Sequence, residues 1–86
     1  MPSISRFFGI VILMYYDDHL PPHFHAKYGV HRAQINIENL KILEGELPRR
    51  ALPLWIKWAV LHRNELRQNW QIARDGLPLQ EIAPLE

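Results

Sequence analysis

The chain has 86 residues, 48% apolar and 22% charged, with a net charge of +1, which describes one ordinary globular domain with a modest core. The absence of cysteine excludes a disulfide framework and a thiolate zinc site. The apolar run over residues 7–16 is too short to cross a bilayer as a helix and lacks the flanks of a signal peptide, so a soluble cytoplasmic protein with no membrane partner is expected.

In chain order, residues 6–16 read as the first strand. Ile10, Ile12, Met14 and Tyr16 fall on one face and Val11, Leu13 and Tyr15 on the other, the pattern of a strand covered on both sides. Residues 23–28 and 31–38 then read as a β-hairpin closed by Gly29-Val30, with glycine suited to the first central position of a type II′ turn. A two-residue loop pairs Tyr28 with His31, Ala26 with Ala33 and Phe24 with Ile35. One hairpin face collects Phe24, Ala26, Ala33, Ile35 and Ile37 as core. The other collects His23, His25, Lys27, Arg32, Gln34 and Asn36. A short strand over residues 41–44 follows a turn centred on Asn39, giving a small antiparallel meander.

Residues 47–74 read as one long helix. Pro48 suits a first turn, whereas Pro53 demands either a preliminary turn with the main helix starting near it, or a kink. Leu52, Trp55, Ile56, Ala59, Leu66, Trp70 and Ala73 form the stripe that packs on the sheet. Leu54, Trp58, Leu61 and Ile72 form a second apolar strip, which one sheet cannot bury and which is therefore expected to contact another subunit or protein, although Trp58, between the two strips, reads as core before it reads as an interface anchor. Gly76 is the expected C-terminal cap, and residues 77–86 an extended, proline-punctuated tail. The expected fold is a single α+β domain, with a three- to four-stranded antiparallel meander (4–46), one long helix (48–74) and a tail (76–86).

Chemistry concentrates in residues 17–31, which hold four of the five histidines around Pro21-Pro22. The prolines stiffen an elbow between His19 and His23. His23 and His25 alternate across Phe24, so a strand sends both imidazoles to one face. Imidazole is both a general acid–base and a transition-metal ligand. Basic residues gather later in the chain. Between Arg49 and Arg74 there are six of them against the single acid Glu65, a pattern that fits a solvated helix face or an anionic partner.

The segments Pro2-x-Ile4-Ser5-Arg6-Phe7-x-Gly9-Ile10-x-Ile12, Asp18-His19-x-Pro21-Pro22-His23-Phe24-His25 and Tyr28-Gly29 resemble a bacterial family catalogued as domain of unknown function 4160. The run from Leu47 to Leu52, then Trp58-x-x-x-His62-x-x-Glu65-Leu66 and Trp70, extend the resemblance over nearly the whole chain, with Pro53 as a departure from the usual helix former. The resemblance implies a small α+β domain encoded beside a second small protein of unknown function, in pairs that look like toxin–antitoxin modules. It carries no reaction with it.

Three functions follow as expectations. The first is an RNA-acting component of a toxin–antitoxin-type module, needing no cofactor. In it His23 and His25 act as base and acid, Arg32, Lys27 or Arg50 meets the phosphate, and Arg63 and Arg67 track the backbone. The second is a zinc, nickel or copper site built from His19, His23 and His25, completed by His62 with Glu65, with Asp17 and Asp18 as outer acceptors. The third is a non-catalytic interaction module or antitoxin with structural histidines, paired with itself or a small cognate partner through Leu54, Trp58, Leu61 and Ile72.

Overall fold

The computed structural model describes residues 3–16 and 18–86. Among them, five strands form one antiparallel sheet in the order of the chain: β1 (Ser3–Phe7), β2 (Ile10–Leu13), β3 (His23–Tyr28), β4 (His31–Asn36) and β5 (Ile42–Gly45). A 3₁₀ turn at Arg49–Ala51 leads into α1 (Leu52–Leu61), and α2 (Arg63–Arg74) follows.

Two expectations about the elements need correction. The single strand foreseen over residues 6–16 is two strands joined by a tight turn, in which Phe8 (φ 49°) and Gly9 (φ 82°) are both left-handed. A turn with two positive φ values has the twist that a hairpin needs, and glycine takes such a value at no steric cost. Phe8 does not advertise it, which is why the run reads as continuous.

The single long helix is likewise two. Pro53 falls in the first turn of α1, where a missing N–H costs nothing. The helix is interrupted at His62 (φ −116°, ψ 22°), with no proline or glycine to mark the break. The His62 N–H still reaches the Trp58 carbonyl and its own carbonyl accepts from Leu66, so the two helices run on from one another through one unwound residue.

Elsewhere the local chemistry acts as expected. β3 and β4 pair Tyr28 with His31, Ala26 with Ala33 and Phe24 with Ile35, around Gly29 at φ 61°. Asn36 ends β4 by accepting the N–H groups of Glu38 (2.8 Å) and Asn39 (3.3 Å) on its side chain. Gly45 allows β5 to close on β4, because a Cβ there would lie 2.1 Å from the Arg32 carbonyl oxygen. After α2, Gly76 donates to the Ala73 carbonyl and Leu77 to the Ile72 carbonyl, a Schellman cap.

Both helices cover one face of the sheet. Ile10, Ile12, Phe24, Ile35 and Ile37 meet Trp55, Trp58, Ala59 and Leu66 there, all essentially without solvent contact. The tail completes this core. Asn69 holds Gln80 at both its N–H (2.9 Å) and its carbonyl (2.8 Å), Ile82 N donates to Ile4 O at the edge of β1 (2.8 Å), and Ile82 is buried. The tail also covers Trp58, whose Nε1 donates to the Ala83 carbonyl (2.9 Å). Of the two readings of Trp58, core is the one observed and interface the one excluded by its burial, while Ile56, expected in the inner stripe, faces solvent. Of the other strip residues, Leu54 and Ile72 are half-buried and Leu61 is exposed. No helix is long and apolar enough to cross a membrane among the described residues.

Candidate metal centre

The link between β2 and β3 brings Asp18 back over the start of β3. Pro21 and Pro22 form its corner. The Pro22 carbonyl accepts from Ile37 N (3.1 Å), which ties the corner to the end of β4. Alternation along β3 puts His23 and His25 on one face, ring centroids 5.1 Å apart, with Asp18 between them. One carboxylate oxygen, Asp18 Oδ2, lies 3.0 Å from Nε2 of His23 and 3.0 Å from Nε2 of His25. The ligand-capable atoms of all three lie within 4.8 Å of one another.

The two imidazoles differ in setting. His25 is partly open, its side chain 21% exposed, and stands edge-on to Tyr15. It donates to Asp18 through Nε2. His23 is 1% exposed and packed against Trp70 of α2, so the expectation of two solvent-facing imidazoles holds for His25 alone. The reason lies in the tertiary packing. α2 and the proline corner close over the first residue of β3 but leave the third uncovered.

His23 Nδ1 is 2.8 Å from the Pro21 carbonyl oxygen, which can only accept, so Nδ1 carries a proton. A neutral His23 then has a bare, buried Nε2. That atom is close to Asp18 Oδ2 but not in hydrogen-bonding alignment with it. Two lone pairs this near, out of water, require a positive charge between or beside them. Either a second proton on Nε2, giving the imidazolium whose charge helps hold Asp18 ionised, or a metal ion supplies it. A backbone carbonyl fixing Nδ1–H so that Nε2 faces inward is the usual outer arrangement around a metal-bound histidine.

Burial works against the charge on Asp18. The hydrogen bond from His25, the charges of His23 and His25, and the His19 N–H outweigh it, and the carboxyl stays below its ordinary range. An ionised carboxylate and two imidazoles suit zinc and other first-row transition ions. Tetrahedral zinc with bonds of about 2.0–2.1 Å separates its ligand atoms by about 3.3 Å. The two carboxylate–imidazole separations, 3.0 Å each, lie close to that, and all three ligand atoms fall within 4.8 Å of one another.

The other candidate residues lie elsewhere. His19 is 84% exposed, its Nδ1 3.6 Å from Asp18 Oδ1, on the rim of the cluster. His62 Nδ1 pairs with Glu65 Oε1 at 2.5 Å, at the junction of the helices and outside the cluster. Lys27 and Arg32 share the face of His25, one register position along. Arg50 bonds the Tyr28 hydroxyl (3.3 Å) and lies over that ring. Arg63 donates to the Ile37 carbonyl (3.2 Å), and Arg67 grips both carboxylate oxygens of Glu38 (2.9 and 2.7 Å). These three arginines are engaged in structure and do not converge on His25. Asp17 lies outside the described residues. Asp18, expected only as an outer acceptor, is the group that joins the two histidines. Its place next to the proline corner was the one available signal.

A family described as Domain of unknown function (DUF4160) has a model that matches residues 9–71, well over half of the chain. No curated protein and no solved structure matches.

Proposed function

The chain belongs to the DUF4160 family, a membership that brings no reaction with it, and we propose that it is a transition-metal-binding domain with Asp18, His23 and His25 as ligands. The observation that carries this reading is His23 Nε2, buried, without a hydrogen-bond partner, and 3.0 Å from a carboxylate oxygen. Three protein ligands leave a coordination position open, and His25 lies toward solvent. Bound there, zinc would supply a Lewis acid and a water acidified to a pKa of about 7. The chain's own residues hold and aim the ligands: Pro21 through its carbonyl, Trp70 by closing over His23, and Tyr15 by its edge against His25.

The test is metal content of untagged protein after zinc loading and dialysis. One zinc per chain is expected for the wild type and for His19→Ala and His62→Ala. Asp18→Asn and His23→Gln, checked for folding by circular dichroism, should hold less than a tenth of that. A wild type that retains no zinc, nickel or copper, or variants that retain it unchanged, would sink the reading.

A second reading is the RNA-acting component of a toxin–antitoxin-type module, with metal-free acid–base chemistry. The 3.0 Å pairing of Asp18 with His25 favours it, since a carboxylate orients an imidazole as a base. His23 is a poor partner in that chemistry, being buried with Nδ1 engaged. Induction in a bacterium should then arrest growth for the wild type but not for His25→Ala accumulated to the same level. Equal growth leaves the interaction-module reading in its place, with a second copy or a small cognate protein as partner.

A further inference from the structure

Helices and tail pack mainly on one face of the sheet. The other is covered at the start of β3, where Trp70 and the proline corner close over His23, and is open around Val11, Lys27 and Arg32. On that open face the register builds a row across four strands: Arg6 opposite Val11, Val11 opposite Lys27, Lys27 opposite Arg32. At about 4.8 Å per strand spacing the row is about 14 Å long. Among the described residues, none of its three cations has an ion pair or a side-chain hydrogen bond. The arginines of the helical layer that were candidates for a nucleic-acid backbone are by contrast already committed, Arg63 to a carbonyl and Arg67 to Glu38. Like charges aligned without partners repel one another, and a polyanion relieves that repulsion.

The surface has relief as well as charge. One shallow hollow lies between Arg6 and Lys27 over Val11, a second between Lys27, Arg32 and His25, and a third between His25, Arg32 and Glu44. They adjoin one another through shared residues. His25 is two residues from Lys27 on the same face of β3, about 7 Å away along the strand. Glu44, the acid in that next row, accepts from Gln34 at 3.2 Å.

We infer that this open face binds the backbone of a single-stranded nucleic acid, lying across the strands along Arg6, Lys27 and Arg32 and passing beside His25. A single strand fits because the cations follow one line, with Val11 among them and the ring of Tyr15 beside His25, so that splayed bases find apolar and aromatic surface. A duplex keeps its bases stacked inside and offers its phosphates on two strands. Binding by this face is independent of whether a metal sits at Asp18.

The experiment is fluorescence anisotropy with a labelled oligouridine of about twelve nucleotides, the matching deoxythymidine strand and a duplex of equal length, over a salt series with EDTA present. Three backbone contacts predict a slope of log affinity against log salt near −2, from about −0.7 per contact. Arg6→Ala/Lys27→Ala/Arg32→Ala should weaken binding at least about tenfold and flatten the slope. Arg49→Ala/Lys57→Ala/Arg74→Ala removes the same charge from the other layer and should stay within about twofold. Equal loss in the two triple variants, tighter binding of the duplex, displacement by an equal charge of polyglutamate, or no binding at low salt would each overturn the inference. A ribose preference between the two single strands would identify RNA; equal affinity would identify single-stranded nucleic acid generally. Since EDTA strips any metal, failure here does not touch the metal reading, nor does a failure of the zinc test touch this one.

Discussion

Asp18 is where the residue scale decides most. Its carboxylate is partly buried, which would raise its pKa, yet His25's hydrogen bond and the two imidazoles' charges hold it down. A group whose folded pKa is depressed adds stability above its unfolded value, near 3.8, and that contribution is lost as pH falls through the folded value. Asp18→Asn should therefore show a flatter loss of unfolding free energy below about pH 4 than the wild type, read by urea denaturation at a series of pH values. Parallel acid limbs for the two proteins would mean that the carboxylate does no electrostatic work in the fold. His23 shows how unequal two like residues become. Its neighbour across Phe24 meets water, while it is closed under Trp70 with one nitrogen fixed by the Pro21 carbonyl and the other turned to Asp18 at 3.0 Å.

At the scale of elements, the β3–β4 hairpin was fully legible, because Gly29 and strict alternation over six residues leave one register that buries Phe24, Ala26, Ala33 and Ile35 together. The β1–β2 hairpin was not, because its turn rests on Phe8, a residue that takes positive φ only when its neighbours compel it. Helix periodicity found Trp55, Ala59, Leu66, Trp70 and Ala73 correctly but assigned Ile56 inward and left Trp58 between the two strips, as core or as an interface anchor. The period continues smoothly in the sequence, whereas the chain unwinds by one residue at His62 and the tail adds a second wall beside Trp58. Glu38 at the β4–β5 turn illustrates the same limit. Nothing local says that Arg67, 29 residues on, will grip it and hold its carboxyl below the usual range.

For the molecule as a whole, the tail is a structural layer rather than an appendage. Asn69 is 1% exposed and uses its side-chain amide on the N–H and carbonyl of Gln80, which aligns Ile82 with the edge of β1 and Ala83 with Trp58. Asn69→Ala leaves both backbone groups without these partners and should cost about 1–3 kcal/mol in unfolding free energy. Limited proteolysis should then cut first after residue 76, and an unchanged denaturation midpoint with no new cleavage would show that the tail packs without this clamp. With helices and tail gathered mainly on one side, most of the opposite sheet face is left to solvent, and His25 of the proposed metal site and the row of cations both open toward it.

Much followed from the chain alone: the α+β class, the hairpin register, the Gly76 cap, and the shared face of His23 and His25. Each is a local matter of φ preference or of side-chain period, acting over a few neighbouring residues. Only the tertiary structure decided that Asp18 stands between the two imidazoles, that His23 is dry and His25 wet, that Trp58 is core, and that Arg50, Arg63 and Arg67 are engaged while Arg6, Lys27 and Arg32 are not. Those outcomes depend on which distant segment arrives at a given surface, and burial and pairing are set there, by packing rather than by sequence spacing.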